Sequence, residues 1–246
     1  MTVDEMHLQF KIGVDKTDSL NSANFTQAEI DIYLSDAQEQ FIEQRAYGNN
    51  AKRESVEETE QRVKNLQSIT YNAIITPLAY DPTRNKPNGV FVNLPADYRH
   101  ALEEEVSVTY TDCNGASKTI LVPVIALTHD KYNKTITNPF SKPNINKVYR
   151  LPFGRFTTAG VSSEHFELIS GQGFTINTYY LRYLKNPLKI NLANRPLPVP
   201  SIGTGQQGSL ADEAYREIIR IAVRNALGDI ESPRTQESMQ RITEIE

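Results

Sequence analysis

The chain has no tryptophan and a single cysteine, Cys113. It also lacks any apolar run near the roughly 20 residues that a bilayer-spanning helix needs. One cysteine allows neither an internal disulfide nor a cysteine-based zinc site. The absence of tryptophan counts against a carbohydrate-binding module. Met1-Thr2-Val3-Asp4-Glu5 is acidic and no apolar stretch follows it, so no signal peptide is expected and the protein is expected to start life in a cytoplasm. An excess of basic charge is missing too: 26 Lys and Arg stand against 30 Asp and Glu, for a net charge of −4. That balance disfavours tight sequence-nonspecific DNA binding, while an acidic surface suits a passage through which DNA slides without sticking. Gly-x-Ser-x-Gly and phosphate-loop motifs are absent. With 39% hydrophobic and 23% charged residues, what remains is a foldable globular chain.

Helical signals dominate the two ends. Thr2 with Glu5 and Thr26 with Glu29 read as capping boxes, in which hydroxyl and carboxylate satisfy the free amides of a first helical turn. After the first box, Met6, Phe10 and Val14 recur at helical spacing, but Leu8, Phe10, Ile12 and Val14 also alternate like a strand. After the second, Ile30, Leu34, Ala37, Phe41 and Ile42 share one helical face, and Gly48 marks a stop. Ser55 and Glu58 open a third helix with a thin stripe of Val56, Val63, Leu66 and Ile69. Near the other end, Ser209 caps a helix lined by Leu210, Ala214, Ile218, Ile221 and Ala222, which Pro233 prevents from continuing.

The middle of the chain reads as strands. Val106, Val108 and Tyr110 alternate with polar residues, Asn114-Gly115 follows, and Ile120, Val122 and Val124 alternate again, which predicts a hairpin. A second pair is expected between Phe166-Glu167-Leu168-Ile169 and the run from Phe174 to Leu184, across Gly171-Gln172-Gly173. Between the pairs, residues 128–156 read as a long irregular segment with Pro139, Pro143 and Pro152 and one short helix near Lys131. Ordered loops of that length often contact another chain. Arg195-Pro196-Leu197-Pro198-Val199-Pro200 is a stiff linker. The expected class is α+β: a helical bundle built from N- and C-terminal helices (residues 1–70 and 201–246, with a C-terminal arm) carrying an inserted β-rich domain (residues 71–200).

Candidate chemistry is sparse. Gly203-Thr204-Gly205-Gln206-Gln207-Gly208 has the glycine spacing of a dinucleotide-binding turn, but prolines rather than a buried strand precede it, so a hinge is expected. His7, His100, His129 and His165 are scattered, and His165 with Glu167 offers only two ligands on one strand face. Glu103-Glu104-Glu105 reads as a solvated strand end. Cys113 has Asp112 beside it and no basic neighbour, so it is expected to be inert. Tyr179 and Tyr183 share a strand face with Leu181, and Tyr180 faces the other way, as in a core or a subunit interface. No catalytic residue, metal or cofactor is expected. A module binding carbohydrate or receptor is the competing expectation, and a hydrolase a weaker one.

Three segments together resemble a known family: Glu5–Lys11 with Asp15–Ser19 and Ile30–Gln38; Asn93-Leu94-Pro95-Ala96-Asp97-Tyr98; and Tyr180–Pro187 with Ala214–Val223. Their order is similar to the ring, or adaptor, proteins of the neck of tailed phages, in particular crAss-like phages of gut bacteria. The resemblance implies a non-enzymatic virion protein of the head–tail connector, assembled in the host cytoplasm. It implies a ring of about twelve copies closed by a repeated heterologous contact. The implied partners are sister subunits, the portal protein, other neck or tail proteins and passing genomic DNA without specific binding, with no membrane. Candidate inter-subunit contacts are Met239, Ile242 and Ile245 on the C-terminal arm, and Pro143 and Asn144 in the long loop.

Overall fold

The computed structural model describes residues 1–17, 25–46, 60–78, 86–158, 161–192, 208 and 210–229. Two compact units emerge, Met1–Ile69 with Pro187–Glu246, and Thr70–Asn186.

In the first unit both capping boxes form. Thr2 N–H donates to Glu5 Oε2 at 2.9 Å and Glu5 N–H to Thr2 Oγ1 at 3.2 Å. Thr26 and Glu29 repeat the exchange at 2.7 and 3.3 Å. These boxes start α1 (Val3–Thr17) and α2 (Gln27–Ala46). In α1 the helical spacing prevails over the alternation: Val3, Met6, Phe10 and Val14 are buried, and Leu8 and Ile12 face solvent. The predicted faces of α2 and of α5 (Asp212–Asp229) are buried throughout. Each Leu, Ile or Phe side chain among them contributes about 1.5–3 kcal/mol by leaving water. The third helix is shorter than its signals: α3 spans Glu60–Leu66 and tightens into a 3-10 turn at Gln67–Ile69. Ser55, Val56 and Glu58 lie outside the described residues, as do Gly48, Ser209 and the 195–200 linker.

α1 meets α5 at a point where no side chain fits. A Cβ on Gly13 would lie 2.8 Å from Val223 Cγ2, and the valine is stiff at χ1 in a helix. Gly13→Ala is therefore expected to destabilise the chain by about 1 kcal/mol, because overpacking outweighs the gain in helix propensity. In a Val223→Ala background the same change is expected to stabilise by up to about 1 kcal/mol. Chemical denaturation of the four variants checks this, and the same sign in both backgrounds would refute the tight contact.

α2 carries a second face that its apolar stripe does not reveal. Asp31, Ser35 and Gln38, at helical spacing, hold the chain as it leaves the β unit. Gln38 Nε2 donates to Leu188 O at 2.9 Å, Ser35 Oγ to Ile190 O at 3.2 Å, and Leu192 N–H to Asp31 Oδ1 at 3.2 Å. The helix thus supplies hydrogen-bond partners to an extended segment. Between those bonds, Ile190 is buried.

The second unit is a seven-stranded sheet in the order β1-β7-β3-β4-β5-β6-β2. Its strands are β1 (Thr70–Ile75), β2 (Gly89–Asn93), β3 (Tyr98–Thr111), β4 (Ser117–Ala126), β5 (Val148–Thr158), β6 (Val161–Ile169) and β7 (Phe174–Lys185), with α4 (His129–Thr137) between β4 and β5. The predicted β3–β4 hairpin forms with Val106 opposite Val122 and Val108 opposite Ile120, and Gly115 in the turn takes φ 77°. Neighbouring pairs are antiparallel except β4–β5, which is parallel. The sheet curls around one core. Ala73 and Ile75 of edge strand β1 and Val92 of edge strand β2 all pack with Val106, Tyr179 and Leu181. Leu78 N–H, just beyond β1, donates to Phe91 O of β2 at 2.7 Å.

Three expectations need correction. The helices do not form a bundle, nor are they mainly terminal. α1 and α2 each pack on α5 and scarcely on one another, α3 is short, and α4 lies among the strands. The fold is mixed α+β, and the physical reason is the polar Asp31–Ser35–Gln38 face, which takes an extended segment where a bundle would need another helix. Strands β6 and β7 are consecutive but unpaired. β6 lies between β5 and β2, and β7 between β1 and β3. Finally, residues 128–156 are not irregular: α4 and β5 occupy most of them. Pro152 is tolerated because the β5–β6 register slips between Pro152 and Gly154.

Candidate functional site

Among the described residues no three His, Cys, Asp or Glu side chains are grouped as metal ligands. The four histidines go separate ways. His7 is buried on α1 with Nε2 donating to Asp31 Oδ1 at 2.8 Å. His100 sits on β3, where burial and the nearby Arg150 hold its pKa below the usual value. His129 opens α4, its Nε2 2.6 Å from Pro152 O. His165 is buried on β6 with Nδ1 2.8 Å from Ser163 O. Glu167, on the same strand face, instead accepts a hydrogen bond from the Lys86 amide. Burial pushes its carboxyl above the ordinary range, which that amide and the Lys86 charge only partly offset. Cys113 is exposed in the β3–β4 turn. Of the glycine motif only Gly208 lies within the described residues.

The acidic run is not uniformly solvated. Glu103 is exposed and pairs with Arg182 at 3.0 Å. Glu104 turns inward, where Arg150 Nε donates to its Oε1 at 2.6 Å and Tyr179 O–H to its Oε2 at 2.8 Å. The Arg150 guanidinium also covers the Phe166 ring at 4.2 Å. Burial raises the Glu104 pKa, and Arg150 and Tyr179 do not fully compensate. A register shift between Ala101 and Glu103 in β3 accounts for the inward turn, and a single sequence offers no signal for such a bulge. The tyrosine run divides as its alternation predicts. Tyr179 and Tyr183 are buried, Tyr183 O–H donating to Asp97 Oδ1 at 3.0 Å with its pKa pushed up to about 12, and Tyr180 faces out.

What the β unit does expose is apolar surface on the outer face of its sheet. Ile74 of β1 stands opposite Tyr180 of β7, which stands opposite Glu105 of β3, which stands opposite Pro123 of β4. Leu121 and Ile125 extend the row along β4, with Ile74 74% and Leu121 60% exposed. Asn72, Glu103 and Arg182 form its polar border, with Arg182 Nε donating to Asn72 Oδ1 at 3.2 Å. Glu105 interrupts the apolar residues of this row between Tyr180 and Pro123.

Pro143 is buried, its carbonyl packed so closely on Gly171 that a Cβ there would lie 2.7 Å from the oxygen. Asn144 is exposed, but its amide and carbonyl bond Lys147 within the loop. The side chain displayed is Phe140, 88% exposed. Its exposure had no signal in the sequence. Met239, Ile242 and Ile245 lie outside the described residues.

No helix among the described residues is long and apolar enough to cross a membrane. No curated protein matches the chain. The family model described as phage tail ring protein 3/4 matches residues 1–237. That match covers nearly the whole length, so the chain belongs to the phage tail ring protein 3/4 family of crAss-like phages.

Proposed function

We propose that the chain is a structural, non-enzymatic subunit of the phage neck. Copies form a closed ring that links portal to tail and lines the channel through which the genome passes. The reading rests on the family match together with the exposed apolar side chains Ile74, Leu121 and Ile125 on the β unit, which a solitary subunit would leave in water. A ring of about twelve copies matches the twelvefold order the resemblance implies, and a heterologous contact closes such a ring. The net charge of −4 suits a wall that DNA slides along. Residues 233–246 act as an arm, with Met239, Ile242 and Ile245 docking on a neighbouring ring. Pro143 and Asn144 act in subunit contact through the loop they shape.

The test is an asymmetric reconstruction of purified particles, with the chain fitted to the density below the portal. A closed ring of this chain there supports the proposal, and its location in fibres or tail tip, or its absence from particles, refutes it. Deleting residues 233–246 is expected to leave a folded subunit that does not join the connector. Normal assembly of that truncation would remove the arm from the proposal.

A further inference from the structure

The loop at residues 138–147 is held by its own amides, two of its asparagine side chains and Tyr149. Phe140 N–H donates to Asn138 Oδ1 at 3.0 Å, and the Ser141 and Lys142 amides to Asn138 O at 3.1 and 2.9 Å. Asn146 N–H donates to Asn144 Oδ1 at 2.9 Å, and Tyr149 O–H to Ser141 O at 2.6 Å. The loop is thus built and anchored, yet its largest apolar side chain, Phe140, stands 88% in water. An aromatic ring brings some of the largest burial a side chain can add to an interface, about 150–250 Å².

The same unit carries a depression of about 270 Å³ on the outer sheet face, lined by the side chains of Ile74, Leu121 and Tyr180 together with the charged Glu103, Glu105 and Arg182. A cavity of about 150 Å³ accommodates a benzene ring, so the depression has room for a phenylalanine side chain. The charges match as well. Residues 138–147 hold Lys142 and Lys147 and no acidic residue, and the depression holds two glutamates against one arginine. Glu105 makes no ion pair among the described residues. Phe140 does not fill the depression of its own chain, where its side chain stands free of cover.

We infer that Phe140 of one copy seats in the Ile74–Leu121–Tyr180 depression of the next copy, with Lys142 facing Glu103 and Glu105. A protrusion and its complement on separate places of one rigid unit make a head-to-tail contact, the kind that closes a ring. The inference rests on the ring reading above and names the surface that reading needs.

Two measurements on particles test it. Zero-length carbodiimide coupling of wild-type particles is expected to give dimer and trimer bands of this chain, with a Lys142–Glu105 or Lys142–Glu103 cross-linked peptide in the dimer band. Phe140→Ser, on the surface and expected to fold normally by circular dichroism, should lower incorporation of the chain into particles roughly ten-fold or more, whereas Phe140→Tyr should not. Oligomer bands whose cross-links lie elsewhere, or normal incorporation of Phe140→Ser, would overturn this contact and leave the ring intact. A chain absent from wild-type particles would overturn the ring reading and this contact with it.

Discussion

Replacing Asp31 by alanine is expected to destabilise the full chain by about 3–5 kcal/mol, the range for removing one member of a buried polar pair. Asp31 is buried on α2 and serves two donors from distant parts of the chain: His7 Nε2 of α1 at 2.8 Å, and the Leu192 amide at 3.2 and 3.3 Å. Alanine leaves both donors in a dry interior, where each unsatisfied group costs about 1–3 kcal/mol. Asp31→Asn keeps one acceptor oxygen and is expected to lose only about 1 kcal/mol. Denaturant titration followed by circular dichroism measures both. An alanine variant within 1 kcal/mol of wild type would mean that the return segment does not depend on this face of α2.

The second large effect belongs to Arg150. Arg150→Met retains the bulk over Phe166 but leaves Glu104 buried with Tyr179 O–H as its remaining side-chain partner. The expected loss is about 3–5 kcal/mol near neutral pH. It should shrink on acidification, because a protonated Glu104 no longer carries a buried charge. The sign for the wild type follows from the direction of the shifts. Glu104 and Glu167 both have folded pKa values raised above 4.5. The folded state therefore holds their protons more tightly, so their stabilising contribution is complete below that value and is lost as pH rises through the raised ones. Relative to wild type, Glu104→Gln should gain stability as pH climbs above 4.5. Thermal unfolding of wild type, Arg150→Met, Glu104→Gln and the double variant between pH 4 and 8 reads all of this. A loss in Arg150→Met that is the same at both ends of that range would show that the Glu104 charge is not what Arg150 serves.

A good part of the secondary structure was legible because it is written in short-range patterns. Two capping boxes, the apolar faces of α2 and α5, the Asn114-Gly115 turn and the alternation through Tyr179 and Tyr183 are each decided by residues within a turn or two of one another. The family likeness, carried by the order of such segments, was legible too.

Pairing and exposure were not. Which strand lies beside β7, that Pro152 sits at a register slip, that Asp31, Ser35 and Gln38 receive an extended segment, and that Glu104 rather than its neighbours turns inward all depend on residues far apart in the chain. The exposed surfaces follow the same division. Ile74, Leu121 and Tyr180 look like any strand residues until the curl of the sheet puts its core on the other side, and nothing beside Phe140 in the sequence marks its exposure. The sequence by itself determined where helices begin, which faces are apolar and what family the chain resembles, because those depend on local spacing. Only the tertiary structure decided which apolar groups remain uncovered, because burial is set by long-range pairing that no local pattern encodes.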